Sequence, residues 1–107
     1  MKKLTKRLYS IESLGGDRWA VKLTDKSHPV FKAHFEGNPL LPAFLQIDIM
    51  SEILSKKLIK IERAKFKLPI LPNDTVVYEI TKKIENRYRV KITKADQVTS
   101  EIRLVYA

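Results

Sequence analysis

The chain has 107 residues, 44% hydrophobic and 31% charged, enough apolar matter for one folded domain and too much for a disordered tail. It contains no cysteine, which excludes a disulfide framework, thiol catalysis and cysteine-ligated zinc or iron–sulfur sites. Lysine and arginine number 21 against 12 acidic residues, a formal charge of +9 that calls for a negative partner: nucleic acid, an acidic protein or a phosphorylated substrate.

The opening stretch MKKLTKRLYSIESL has the basic flavour of a signal peptide, but Lys6, Arg7, Ser10 and Glu12 break the apolar run that such a peptide needs. It reads as mature protein. No uncharged apolar stretch approaches the roughly 20 residues of a membrane helix, so a soluble protein with no membrane partner is expected, and a reducing cytoplasm fits the missing cysteines. The first strand signal is the alternation of Trp19, Val21 and Leu23 on one face. A long loop follows from His28, and Pro39 and Pro42 then precede AFLQIDIMSEILSKKL, whose good helix formers predict one helix over 43–58. On a helical wheel Phe44, Leu45, Ile47, Ile49, Met50, Ile53, Leu54 and Leu58 surround nearly the whole circumference, as in a buried helix. A narrow gap holds Asp48, Ser51, Glu52 and Ser55.

Beyond the helix the apolar phase slips between Ile59 and Leu68, which places a bulge near Glu62 and Arg63. Pro69 and Pro72 close that strand. Val76, Tyr78 and Ile80 alternate next, then Tyr88, Val90 and Ile92, and the polar turn Lys94-Ala95-Asp96-Gln97 leads to Val98, Ile102, Leu104 and Tyr106. The expected architecture is α+β, one buried helix against a curved antiparallel sheet, as a single domain over 1–107. A chain this short buries only about two thirds of its unfolded surface, which favours pairing with a second copy.

The chemistry concentrates in HPVFKAHFEGNPLLPAFLQID, where His34 stands before a Gly-Asn-Pro turn and Asp48 sits on the first turns of the helix. Histidine accepts a proton at neutral pH, and a carboxyl group in apolar surroundings holds one to donate. The residue pattern alone leaves two readings open: a base and an acid for an elimination, or a His34 bonded to a loop carbonyl and an Asp48 on a polar stripe. His28, before Pro29, reads as structural. Two histidines without cysteine make no metal site. Neither Ser27 nor Ser51 has the Gly-x-Ser-x-Gly context of a nucleophile, and Gly15, Gly16 and Gly37 form no phosphate loop.

The segment HFEGNPLLPAFLQID resembles the active-site segment of the 3-hydroxyacyl-acyl carrier protein dehydratases of the FabA/FabZ type, whose pattern is His-Phe-Pro-Gly-x-Pro-x-x-Pro-Gly followed on the helix by Glu or Asp. His34, Phe35, Gly37, Pro39 and Pro42 match, and Asp48 falls at the acid. IERAKFKLPILPNDTVVYEI is similar to the family's following strand and hairpin, so the likeness covers about residues 18–106. Ala33 and Ala43 stand where the family usually has glycine, and Glu36 where it has proline. The resemblance implies a hot-dog fold and a homodimer, or a higher even oligomer, in which His34 of one subunit faces Asp48 of the other. It implies dehydration of a 3-hydroxyacyl thioester to a trans-2-enoyl thioester without a cofactor. It implies substrate and oxyanion contacts at Gly37, Ala43 and Phe44, and an acidic, phosphopantetheine-bearing acyl carrier protein as partner. Lys32, Arg63, Lys65 and Lys67 are candidates for its docking face.

Three rivals remain. A hot-dog thioesterase uses an acid to activate water against the same carbonyl. A non-catalytic module keeps the fold and binds acyl chains or carrier protein. Nucleic-acid binding rests on charge alone and lacks aromatic residues interleaved with the basic ones, so no nucleic-acid partner is expected.

Overall fold

The computed structural model describes residues 7–33 and 40–107, without the side chains of 32 and 33. Its elements run β1 (Tyr9–Gly15), β2 (Arg18–Leu23), α1 (Pro29–Ala33), α2 (Ala43–Leu54), β3 (Leu58–Phe66), β4 (Thr75–Lys82), β5 (Arg87–Lys94) and β6 (Gln97–Tyr106). The strands form one antiparallel sheet in the order β1-β2-β4-β5-β6-β3. This is the helix-and-sheet architecture that the sequence predicts.

Alternation builds the sheet's inner face. Val76, Tyr78 and Ile80 from β4, Tyr88, Val90 and Ile92 from β5, and Ile102, Leu104 and Tyr106 from β6 are all buried. Leu45, Ile47, Ile49 and Met50 of α2 join them in one core. Besides this packing, hydrogen bonds from β4 and β6 fix the helix to the sheet. The Tyr78 hydroxyl donates to the Gln46 carbonyl at 2.7 Å, the Ser100 hydroxyl donates to Gln46 Oε1 at 2.7 Å, and the Ser51 and Tyr106 hydroxyls share a bond at 2.9 Å.

Hairpin chemistry sets the register. The β5–β6 turn has Ala95 and Asp96 at φ 51° and 65°, and the β4–β5 turn has Glu85 and Asn86 at 54° and 62°. Two consecutive left-handed residues are the signature of the type I′ turns whose twist suits a hairpin. Between β1 and β2 the left-handed positions fall on Gly15 and Gly16, which adopt them without a Cβ penalty. The register of β3 against β6 shifts between Leu58 and Lys60 and again between Ile61 and Arg63, the second at the bulge expected from the apolar phase slip.

Several expectations need correction. The helix ends at Leu54 and not at 58, because Ser55 turns left-handed at φ 53°, its N–H donating back to the Glu52 carbonyl at 3.2 Å and the Lys56 N–H to the Ser51 carbonyl at 3.4 Å. Burial does not surround it: Phe44 is 54% exposed, while polar Gln46 is buried on its hydrogen bonds. The residues before Trp19 include a strand, β1. The long loop contains the short helix α1, opened by Pro29 and anchored by buried Val30 and Phe31. His28 has the structural part expected of it, since its Nδ1 accepts the Val30 N–H at 3.0 Å. Among the described residues, no helix is long and apolar enough to cross a membrane.

Candidate active site

The site is built around the first half of α2. Pro42 is the residue before the helix, in extended geometry at φ −60° and ψ 149°, and supplies no side-chain cap. Its carbonyl accepts the Leu45 and Gln46 N–H groups at 3.1 and 3.3 Å, and Ala43 and Phe44 are the first two residues of the helix. With no acidic residue in the first turn, nothing on the helix neutralises the positive end of its dipole. The approach to this end is held by the Leu41 N–H, which donates to the Ile70 carbonyl at 2.7 Å, and by Gln46 Nε2, which donates to the Leu41 carbonyl at 3.4 Å.

Asp48 lies on the second turn, on the side of α2 that also carries Ser51 and Glu52. It keeps contact with solvent in the single chain, yet partial burial raises its carboxyl above the usual value of 3.8. Two tyrosines stand near it. Tyr106 is held up mainly by burial, with the Asp48 charge adding to the rise and the hydrogen bond with Ser51 opposing it. Tyr9 is raised by burial first, then by donating its hydroxyl to Glu52, with a smaller push from Asp48. The Asp48 charge is thus felt by tyrosines of β1 and β6, and desolvation is the cause of its own rise.

Of the residues singled out from sequence, Ala43, Phe44 and Asp48 come together on the first turns of α2. His34 and Gly37 lie outside the described residues, as do Phe35, Glu36 and Pro39. Tyr9, Tyr106 and Gln46 escaped the sequence reading. Tyr106 carried a signal, since an aromatic with a polar tip on an inward-facing register needs a partner. Gln46 carried none, because its partner Ser100 is 54 residues away. Among the described residues, no group of three or more His, Cys, Asp or Glu side chains is arranged to hold a metal ion.

A family model described as ApeI-like, ApeI dehydratase, matches residues 13–103. Curated relatives include 3-hydroxyacyl-[acyl-carrier-protein] dehydratases FabZ. That of Fusobacterium nucleatum is 34% identical over 74 residues, covering 59% of this chain and 52% of the relative. That of Ehrlichia chaffeensis is 32% identical over 72 residues, covering 57% of this chain and 50% of the relative. The chain spans about half the length of these relatives. Among solved structures, the dehydratase heterocomplex ApeI:P from Xenorhabdus doucetiae matches with a TM-score of 0.75 at 23% identity, over 92% of this chain and 94% of that chain. A mutant thioesterase from Pseudomonas aeruginosa matches with a TM-score of 0.61 at 12% identity, over 99% of this chain and 88% of that chain. Structural likeness at such identities speaks for the fold alone, and the fold is the hot-dog.

Proposed function

Because the chain belongs to the ApeI-like dehydratase family, we propose that it removes water from a 3-hydroxyacyl thioester carried by an acyl carrier protein, giving a trans-2-enoyl thioester. His34 takes the proton from C2, the electron pair of that C–H bond forms the C2–C3 double bond, and the C3–O bond breaks. Asp48 gives its proton to the departing hydroxyl, which leaves as water. The N–H group of Ala43 at the start of the helix holds the thioester oxygen as negative charge develops on it, assisted by the helix dipole, with Phe44 and Gly37 as the further substrate-contacting residues. No step calls on a cofactor.

The observation that carries this reading is the placement of Asp48 on the first turns of α2. Asp48 lies one turn beyond Ala43 and Phe44 on α2, and desolvation moves its carboxyl above 3.8, the direction that favours the protonated form a donor needs. The second subunit is part of the proposal. Phe44, Ile59, Ile61, Phe66 and Leu68 are exposed large apolar residues, and all but Phe44 and Leu68 lie on β3, an edge strand. An unpaired edge lined with apolar side chains is the kind of surface a copy of the chain covers. A net charge of +9 suits an acidic carrier protein.

The test is hydration of a crotonyl thioester and dehydration of 3-hydroxyacyl thioesters by the purified chain. His34→Ala and Asp48→Asn each lower turnover by about 10²- to 10⁴-fold, the usual worth of a positioned acid or base. Thiol release by the intact protein at the rate of substrate loss would replace this reading with a thioesterase. Carrier-protein binding without turnover in either direction would replace it with a binding module.

A further inference from the structure

The outer face of the sheet, opposite α2, carries two adjacent rows of charged side chains whose partners follow from the strand register. One row runs Lys65, Glu101, Lys91, Glu79 and Arg18 across β3, β6, β5, β4 and β2, each residue directly opposite one of the other sign. Lys67 adds an ion pair to Glu101 at 3.5 Å. The charge of Lys65 and Lys67 is thus answered within the sheet. The next row has no such balance: Arg63 faces Arg103, and Arg103 faces Arg89.

Like charges directly opposite one another destabilise a sheet. Among the described residues no carboxylate pairs with Arg63, Arg89 or Arg103, whereas neighbouring Arg87 is held by Glu62 at 3.1 Å and Glu85 at 3.2 Å. Arg89 and Arg103 open onto a cavity of about 370 Å³ that Lys83, Arg87, Glu62 and Tyr88 also line. Among the described residues four cationic side chains thus surround one carboxylate, and that carboxylate is already engaged by Arg87.

We propose that this cavity binds a compact phosphorylated small molecule, a diphosphate or a phosphate ester, independently of the dehydratase site. The guanidinium group offers a planar fork of N–H donors that matches two phosphate oxygens at once, which a lysine does not. Arg89 and Arg103 are mounted on adjacent paired strands, so the two forks are held side by side before the ligand arrives. The volume lies in the range of small-molecule sites, and the bound anion supplies the countercharge that the row lacks.

The probe is inorganic pyrophosphate, titrated calorimetrically into the intact chain at low salt. Arg89→Gln and Arg103→Gln each weaken binding at least about tenfold, while Lys26→Gln, which removes the same charge from a distant turn, changes it less than about twofold. Both arginine variants melt no lower than the parent without ligand, because they relieve repulsion. Pyrophosphate raises the melting temperature of the parent and not of the variants. No binding to the parent, or an equal loss in Lys26→Gln, overturns the site. Binding to vesicles containing phosphatidylglycerol with none to pyrophosphate also overturns it, and makes this face a membrane contact.

Discussion

At the scale of single residues, Asp48 contributes to the pH dependence of stability. Its folded carboxyl titrates above 3.8 because burial disfavours the charged form, so the folded chain binds this proton more tightly than the unfolded chain. The associated stability is fully present below the unfolded value and is lost as pH rises through the folded one. Asp48→Asn is therefore indistinguishable from the parent in thermal melts near pH 3, and becomes the more stable of the two as pH rises toward neutrality. A variant that loses turnover and gains stability separates a chemical role from a structural one. If the melts show the parent ahead at neutral pH, Asp48 is held by an interaction favouring its charge. Asp48 was legible from sequence as a carboxyl on a buried helix. Its surroundings were not, since Tyr9 and Tyr106 come from opposite ends of the chain and neither periodicity nor spacing pairs them with α2.

At the scale of elements, the seam between α2 and the sheet has unequal bonds. Tyr78→Phe removes one hydroxyl from the Gln46 carbonyl and costs about 1 kcal/mol by chemical denaturation. Gln46→Leu costs more, about 1–3 kcal/mol, because it strands the buried Ser100 hydroxyl without its acceptor. Equal losses would place the seam's strength in packing alone. The turns give the opposite expectation. Ala95 and Asp96 both sit at positive φ, so replacing them by Asn and Gly fits the residues to the turn and raises stability by about 1 kcal/mol, read as a higher melting temperature. The strands from Thr75 onward were legible because a half-buried face imposes strict alternation. β1 was not, because only Tyr9 and Ile11 of its residues are even half-buried. The overlong helix has a local cause: Lys56 and Lys57 are good helix formers, and only the backbone at Ser55 shows that the chain leaves.

At the scale of the whole molecule, the proposed two-subunit site makes a prediction that single variants cannot. Inactive His34→Ala and Asp48→Asn proteins, mixed and allowed to exchange subunits, recover about a quarter of the parent activity, since half the dimers are mixed and each restores one site of two. No recovery, with exchange verified by a tag, places both groups in one subunit. Charge on the β3 edge tests the same assembly from outside: Ile61→Lys shifts the sedimenting species toward the monomer and lowers turnover with it. The hot-dog architecture was legible at this scale from element order and the His34–Asp48 segment together. The basic character was legible only as a sum, because the division into a balanced row and an arginine row depends on a register in which β3 lies beside β6.

That same register sets a timetable. β3 is third of the six strands in chain order and stands at the sheet's far edge, and its one partner is the last. During synthesis it emerges with Ile59, Ile61 and Phe66 uncovered and waits for more than thirty further residues before β6 can zip against it. The interval exposes a sticky ribbon to neighbouring nascent chains, so yield in the cell depends on chaperone cover over that stretch. Slowing translation between β3 and β6 lengthens the exposure and costs recovered protein, without altering the finished fold.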